Sequence, residues 1–276
     1  MTRIRPLRPM LAGLVFCLIL PATGAAEKLI IGGTGSALGT MRILADAFMK
    51  LHPEVSIEVP DSLGSGGGIK ALNAGALQIA LSSRPLKDKE RQAGAKLVTY
   101  AKTPFVLVTS NTGAEHNLTS ERLVEIFSGA PTSWSGGTAI RIILRAEHDT
   151  ATKILKSRFP GMDAALAKAR KIRGIPVAPS EQDALDTAEE LSGALTTATL
   201  TALLAEGRSL VPISIDGVAP TLENVAAGRY PMFKTLYMVI GPGVSRDAQD
   251  FIRFVQSADG AAILRDTGNL AIAAGA

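Results

Sequence analysis

The chain has 276 residues, of which 46% are hydrophobic and 20% charged, enough to bury the core of one large domain or two lobes of ordinary size. The formal net charge is +4, but Arg3, Arg5 and Arg8 lie close to the N-terminus and the rest of the chain is nearly neutral. Only 4% of residues are aromatic. Nucleic-acid binders need a basic surplus and stacking side chains, so we expect no nucleic-acid partner.

Residues 1–26 have the pattern of a secretory signal peptide. The three arginines precede an apolar stretch over residues 10–20, and Pro21 is followed by small residues suited to cleavage. The apolar stretch is too short to span a bilayer comfortably, so we expect a cleaved signal and a periplasmic protein. The only cysteine, Cys17, lies inside this segment, and the mature chain would have no disulfide and no cysteine metal site.

The first part of the mature chain alternates strands with helices. Apolar periodicity predicts strands at residues 28–31, 55–59 and 78–81, with helices at 41–51 and 69–74 between them. This order predicts a parallel sheet with covering helices, whose ligands bind at the C-terminal ends of the strands.

The remaining elements follow without an internal repeat or a low-complexity linker. We predict strands at residues 105–109, 140–144, 210–215 and 233–240, and helices at 120–127, 151–158, 162–170, 181–191, 222–227, 246–257 and 261–267.

Two glycine- and serine-rich loops, at residues 32–36 and 64–68, each follow an apolar run and precede a helix. Such loops bind anions, because glycine permits close approach and the helix N-terminus offers unpaired N–H groups and a positive dipole end. The first loop is one residue too long for a dinucleotide fingerprint, and Ile69 breaks the P-loop order in the second. Tight backbone packing is the alternative explanation for the glycines.

A second group of polar residues is predicted at the same edge of the sheet. Ser83 follows the third strand, and Arg145 ends the strand at 140–144, just before Asp149 and Thr150 open a helix. A guanidinium beside a helix N-terminus suits bidentate capture of an oxyanion. The alternatives are a surface ion pair for Arg145 and an ordinary helix cap for Asp149. His148 either flanks this site or lies in solvent.

Catalytic machinery is not evident in the sequence. His52, His116 and His148 are not spaced as metal ligands, and no serine lies in a Gly-x-Ser-x-Gly elbow. We interpret four acidic residues of the helix at 181–191 as a solvated face: Asp183, Asp186, Glu189 and Glu190. We therefore expect a protein that is not an enzyme and that uses no metal and no cofactor.

Taken together, these motifs resemble the PstS-like phosphate-binding proteins of ABC transporters. The resemblance rests on residues 64–70 and 79–86, then Arg145 with Asp149 and Thr150, and extends to residues 216–221 and 228–231. It covers nearly the whole mature chain, and the ordered set of motifs is more specific than any one of them.

The resemblance implies a set of ligand contacts. The family's first-loop contact corresponds to Ser36, Ala37 and Leu38, through backbone N–H groups and a hydroxyl. Its second-loop serine corresponds to Ser65, followed by Gly66. The arginine whose guanidinium binds the anion in a bidentate manner corresponds to Arg145.

Two positions depart from the family pattern. Ser83 stands where well-known members have an aspartate that accepts the ligand's proton, and residues 149–151 read Asp-Thr-Ala where those members have Ser-Gly-Thr. Our hypothesis is that Asp149 replaces the missing acceptor from the opposite lobe. The alternative is that it caps its helix and points away.

The resemblance also implies a fold and a function. We expect a two-lobe α/β periplasmic binding protein of type II, each lobe a mixed, mostly parallel sheet flanked by helices. Lobe one would comprise residues 27–102 and 236–276, and lobe two residues 103–235. A monomer would capture phosphate or a related oxyanion between the lobes and deliver it to an ABC transporter permease. An exported phosphatase-like hydrolase and an oxyanion sensor on the same fold are the alternatives.

Overall fold

The computed structural model describes residues 28–110 and 116–273. The predicted signal peptide and Cys17 lie outside the described residues, and export stays a prediction. Within the described part of the chain, no helix is long and apolar enough to cross a membrane.

The described residues form a mixed α/β fold, as predicted. The strands are β1 (Lys28–Gly33), β2 (Ser56–Glu58), β3 (Ile79–Ser82), β4 (Lys96–Thr109), β5 (Asn117–Leu118), β6 (Arg141–Ile142), β7 (Leu144–Arg145), β8 (Val177–Ala178), β9 (Ala194–Thr199), β10 (Val211–Ile215), β11 (Phe233–Ile240) and β12 (Leu270–Ala271). The helices are α1 (Gly35–Leu51), α2 (Gly64–Asn73), α3 (Asp88–Gln92), α4 (Ser120–Phe127), α5 (Thr150–Arg158), α6 (Met162–Ala169), α7 (Glu181–Glu190), α8 (Leu200–Ala205), α9 (Leu222–Ala226), α10 (Arg246–Val255) and α11 (Ala258–Asp266).

The parallel β-α-β start of the chain is confirmed. Strand β1 pairs in parallel with both β2 and β3, in the spatial order β2-β1-β3. Helices α1 and α2 connect these strands and begin at their C-terminal ends. Strand β11 then joins β3 to β4 with antiparallel pairing on both sides.

Strand β4 is the longest strand and is shared by two parts of the sheet. Its first half pairs with β11, and its second half pairs with β9 and β10. Our predicted strand at residues 105–109 is correct but too short, because the first half of β4 mixes lysine and threonine with apolar residues. Phe105 and Val106 on the second half enter two different core clusters, as expected for a strand covered on both faces.

The apolar core is divided into clusters. One combines the start and end of the chain, with Leu29, Phe48 and Phe251 among its members. Another lies wholly within residues 105–232. Tyr230 belongs to the second cluster and donates its hydroxyl hydrogen to the Phe105 carbonyl at 2.8 Å.

Three local predictions are wrong. Helix α1 begins at Gly35 and not at residue 41. Helix α2 begins at Gly64, so the glycine-serine loop at 64–68 is the first turns of the helix. Glycine is unfavourable within a helix. A Cβ on Gly68, however, would lie 2.7 Å from the Gly33 Cα, so close packing against β1 requires glycine at this position. The strand predicted at 140–144 is two short strands, because β6 pairs with β9 whereas β7 pairs with β8.

Candidate functional site

Four helix N-termini face one cavity of about 660 Å³. Helices α1, α2, α5 and α7 begin at Gly35, Gly64, Thr150 and Glu181, and all four residues line this cavity. The first N–H groups of a helix have no partner within it, and the N-terminus carries a partial positive charge. The cavity therefore has the electrostatics of an anion site.

The N-termini differ in how they are capped. Thr34 and Leu63, which precede α1 and α2, provide no side-chain cap hydrogen bond. At α5, by contrast, the Asp149 carboxylate accepts a hydrogen bond from the Ala151 N–H at 2.7 Å. At α7, Ser180 accepts from the Asp183 N–H. The N-cap residues of the two glycine-rich helices thus provide no side-chain cap, and at α2 the Gly64 N–H has only a long contact of 3.4 Å to the Ser62 Oγ.

Hydroxyl groups from three elements meet at the wall of the cavity. Ser83 follows β3, and its Oγ lies 3.3 Å from the Ser65 Oγ and 3.5 Å from the Thr150 Oγ1. Thr34 donates to the Ser83 Oγ at 3.2 Å, and the Ser83 N–H donates to the Ser65 Oγ at 3.0 Å. The structure therefore brings together three of the predicted site residues from distant parts of the sequence.

Arg145 is 7% exposed, so the interpretation as a surface ion pair is wrong about its location. Its Nη2 donates to the Asp149 Oδ2 at 2.6 Å. Its Nη1 is buried and has no hydrogen-bond partner among the described residues. Leaving a buried charged donor unpaired is costly, and Arg145 is among the residues that line the cavity, so an acceptor supplied by a ligand would relieve that cost.

Asp149 combines the two roles that the sequence left open. It caps α5, and it lines the cavity in an ion pair with Arg145. Burial would raise the pKa of its carboxyl, but the positive charges of Lys234 and Arg145 outweigh burial and hold the pKa below its ordinary value. The carboxylate is therefore charged at neutral pH, with its capping contact intact.

Of the three residues predicted as first-loop contacts, two line the cavity and one does not. Ser36 and Leu38 line the cavity, whereas Ala37 is buried and is not among the lining residues. The Ala37 N–H donates to the Thr34 carbonyl, and the Ser36 hydroxyl donates to the Glu181 Oε2 at 2.5 Å. The hydrogen of the Ser36 hydroxyl is thus engaged within the protein. Gly66, in α2, also lines the cavity.

Lys234 and Glu181 line the cavity but were not predicted. Their side chains are 4% and 5% exposed and form an ion pair of 3.1 Å. Glu181 opens a helix, where an acidic residue ordinarily interacts with the dipole, so its sequence context gave no signal. The sequence did contain a signal for Lys234, because this lysine is the only charged residue of the otherwise largely apolar strand β11. His148 also lines the cavity.

Comparison with known proteins identifies the class. A family model described as "PBP superfamily domain" matches residues 20–259, and the chain belongs to this superfamily. The predicted α/β periplasmic-binding-protein fold is confirmed by its structural neighbours. A protein from Clostridium perfringens whose structure contains bound phosphate superposes with a TM-score of 0.76 at 23% identity, covering 89% of this chain and 100% of that one.

Within this class, the resemblance to PstS-like proteins is confirmed. The chain is 25% identical over 243 residues to "Phosphate-binding protein PstS" of Bacillus subtilis, covering 85% of this chain and 77% of that protein. A shorter match to "Phosphate-binding protein PstS 2" of Streptococcus agalactiae has 29% identity over 111 residues, covering 40% of this chain and 38% of that protein.

Proposed function

We propose that this protein is an extracytoplasmic solute-binding protein that captures phosphate in the cavity between its lobes and delivers it to the permease of an ABC transporter. The observation that carries the proposal is the unpartnered Nη1 of buried Arg145, which lines a cavity that four helix N-termini face. The PstS-like relatives support phosphate as the anion.

The binding energy would come from charge-assisted hydrogen bonds in a site emptied of water. Arg145 would donate from Nη1, and Ser65 and Thr150 would contribute hydroxyls. The N–H groups at the starts of α1 and α2 would complete the shell. No covalent step forms part of this proposal.

The lobe boundaries form part of the proposal: residues 27–102 and 236–276 in one lobe, and 103–235 in the other. The division is supported by the core clusters, one of which joins the two ends of the chain. With these boundaries, Ser65 and Ser83 face Arg145 and Thr150 across the cleft. A bound anion would then bridge the lobes and favour the closed form that the permease recognises. A monomer in the periplasm suffices for this function.

Thermal melting against a panel of anions tests the proposal. A ligand bound only by the folded protein stabilises it by RT ln(1 + [L]/Kd), about 2.7 kcal/mol at a hundredfold excess over Kd. We expect phosphate to raise the melting temperature more than sulfate, molybdate, tungstate or small carboxylates. The shift should vanish in Arg145→Met and persist in Arg141→Met, a matched control at the exposed position of β6. A phosphate shift equal in both variants would contradict the proposal, and turnover of a phosphate ester would favour a hydrolase instead.

A further inference from the structure

A buried network at one wall of the cavity joins Lys234, Glu181 and Ser36. The Lys234 ammonium donates to the Ser36 Oγ at 2.8 Å and to the Glu181 Oε2 at 3.1 Å. The same Glu181 oxygen accepts the Ser36 hydroxyl hydrogen, as described above. These residues come from β11, α7 and α1, so three distant segments converge on one group of polar atoms.

Glu181 is fully engaged on its other side. Its Oε1 accepts from the Thr199 N–H at 2.8 Å and from the Thr199 hydroxyl at 2.6 Å. Burial would raise the pKa of the Glu181 carboxyl, but Lys234 and the hydrogen bonds from Ser36 and Thr199 hold it below its ordinary value. The carboxylate is therefore ionised and fixed in position.

Lys234 retains capacity for a ligand. An ammonium group has three donors, and the described hydrogen bonds to Ser36 and Glu181 use two of them. Its Nζ lies 5.7 Å from the centroid of the Phe105 ring, so one side of the group is apolar. The residue lines the same cavity as Arg145 and Asp149. The positive charge thus belongs to a residue of the cavity wall, and one of its donors is not used by these two hydrogen bonds.

We propose that Lys234 is a second anion-binding cation of this site, and that Glu181 limits how much of its charge the ligand experiences. The inference rests on the proposed function and extends it to residues that the motifs do not include. The two most buried cations that line the cavity each have a carboxylate partner, Asp149 for Arg145 and Glu181 for Lys234. The two cations and two carboxylates therefore nearly cancel before the anion arrives, and removal of the Glu181 charge, which is not the proposed acceptor of the ligand's hydrogen, should strengthen anion binding.

The competing explanation is purely structural: the Lys234–Glu181 pair holds α7 against α1 and never meets the ligand. The two explanations predict opposite effects for Glu181→Gln. If Lys234 binds the anion, this variant releases its charge, and phosphate should bind about threefold to tenfold more tightly. If the pair is only a support, the same variant weakens the support, and phosphate should bind less tightly.

Calorimetric titration with inorganic phosphate, at a pH above the second pKa of phosphate, decides between the ligand-binding and the structural explanation. Lys234→Met alone would leave Glu181 as an unpaired buried charge, so the informative variant is Lys234→Met combined with Glu181→Gln. We expect this double variant to bind phosphate about 10- to 100-fold more weakly, the loss of one charge-assisted hydrogen bond. Lys153→Met is the control: this lysine also lines the cavity but is exposed, and its loss should change affinity by less than about twofold.

The outcomes separate the two levels of the proposal. A double variant that binds within about twofold of the parent, or a Glu181→Gln variant that binds more weakly than the parent, overturns the role of Lys234 while the proposed function stands. A parent protein that takes up no phosphate overturns both. If the double variant does not fold, as judged by circular dichroism, the direction of the Glu181→Gln effect alone decides.

Discussion

At the scale of single residues, the feature with the clearest chemical consequence is the carboxylate of Asp149 beside Arg145. Hydrogenphosphate carries an O–H donor that needs an acceptor, whereas sulfate carries none at neutral pH. An ionised Asp149 can accept that hydrogen but repels an anion that has no hydrogen to share. Asp149 would therefore supply the acceptor that Ser83 does not.

Asp149→Asn should weaken phosphate binding about tenfold and leave sulfate binding unchanged or stronger, because the amide can still cap α5 but bears no charge. Titration calorimetry with both anions measures the change. Asp163→Asn is the control, since Asp163 is an exposed carboxylate in the first turn of α6 that pairs with Lys156. Unchanged phosphate affinity in Asp149→Asn would reject the acceptor role.

Glu90 offers a residue-scale test of stability against pH. Both of its carboxylate oxygens accept from Arg84 at 2.8 Å, and these hydrogen bonds, opposed by burial, lower its pKa from 4.5 to about 2. Because the pKa is lower in the folded state, the ionised carboxylate stabilises the folded protein at any pH above the ordinary pKa of the group. This stabilisation is lost as the pH falls toward the folded-state pKa.

We therefore expect Glu90→Gln to lower the free energy of unfolding by about 1–3 kcal/mol at neutral pH. The difference from the parent should shrink as the pH falls from about 4.5 toward about 2. Urea unfolding over a pH series measures both effects. A difference that stays constant with pH would show that the Arg84 contact contributes nothing through charge.

At the scale of elements, the start of α2 shows why the glycines of residues 64–68 are not equivalent. A Cβ at position 68 would lie 2.7 Å from the Gly33 Cα and 3.1 Å from the Gly32 carbonyl oxygen. Both are backbone atoms, which cannot shift without distorting β1. A Cβ at position 66 would meet only the Arg84 Nη2, at 3.9 Å. Close packing therefore explains the glycine at position 68 but not the one at position 66.

Gly68→Ala should destabilise the protein by about 1–3 kcal/mol through overpacking. Gly66→Ala is the matched control and should be neutral or stabilising by up to about 1 kcal/mol, because alanine favours helix. Denaturant midpoints of the two variants measure the difference. Equal midpoints would show that the contact between α2 and β1 adjusts freely.

The sequence predicts elements well where periodicity is clear and poorly where burial hides it. The β-α-β start was predicted because apolar faces alternate with polar ones. Strand β9 and helix α8 were missed, since all of β9 is buried and its run of alanine, leucine and threonine shows no alternation. The start of α2 was misplaced because helix propensity argues against glycine, whereas packing against β1 decides the outcome.

At the scale of the whole molecule, the cavity depends on contacts between residues far apart in the chain. Ser65, Ser83, Arg145 and Thr150 were selected from motifs at the ends of strands, and the sheet topology brings them together. Glu181 and Lys234 could not be placed in this way, because they meet Ser36 across 145 and 198 positions of sequence. No local pattern carries that information.

Several of these long-range contacts cross between the two proposed lobes. Gln182 donates to the Gly35 carbonyl at 3.0 Å, and Asn269 contacts the Thr201 hydroxyl at 2.8 Å. With the Ser36–Glu181 hydrogen bond, the Gln182 contact holds the N-termini of α1 and α7 against each other at the wall of one cavity. With the proposed boundaries, the shape of the cavity would thus depend on how the two lobes meet.

The most direct test is a crystal structure of the protein grown with phosphate and without sulfate. We predict a tetrahedral anion within hydrogen-bond distance of the Arg145 Nη1, with the Ser65 and Thr150 hydroxyls completing its contacts. An anion bound elsewhere, or a cavity in which the Arg145 Nη1 still meets no ligand at saturating phosphate, would contradict the account.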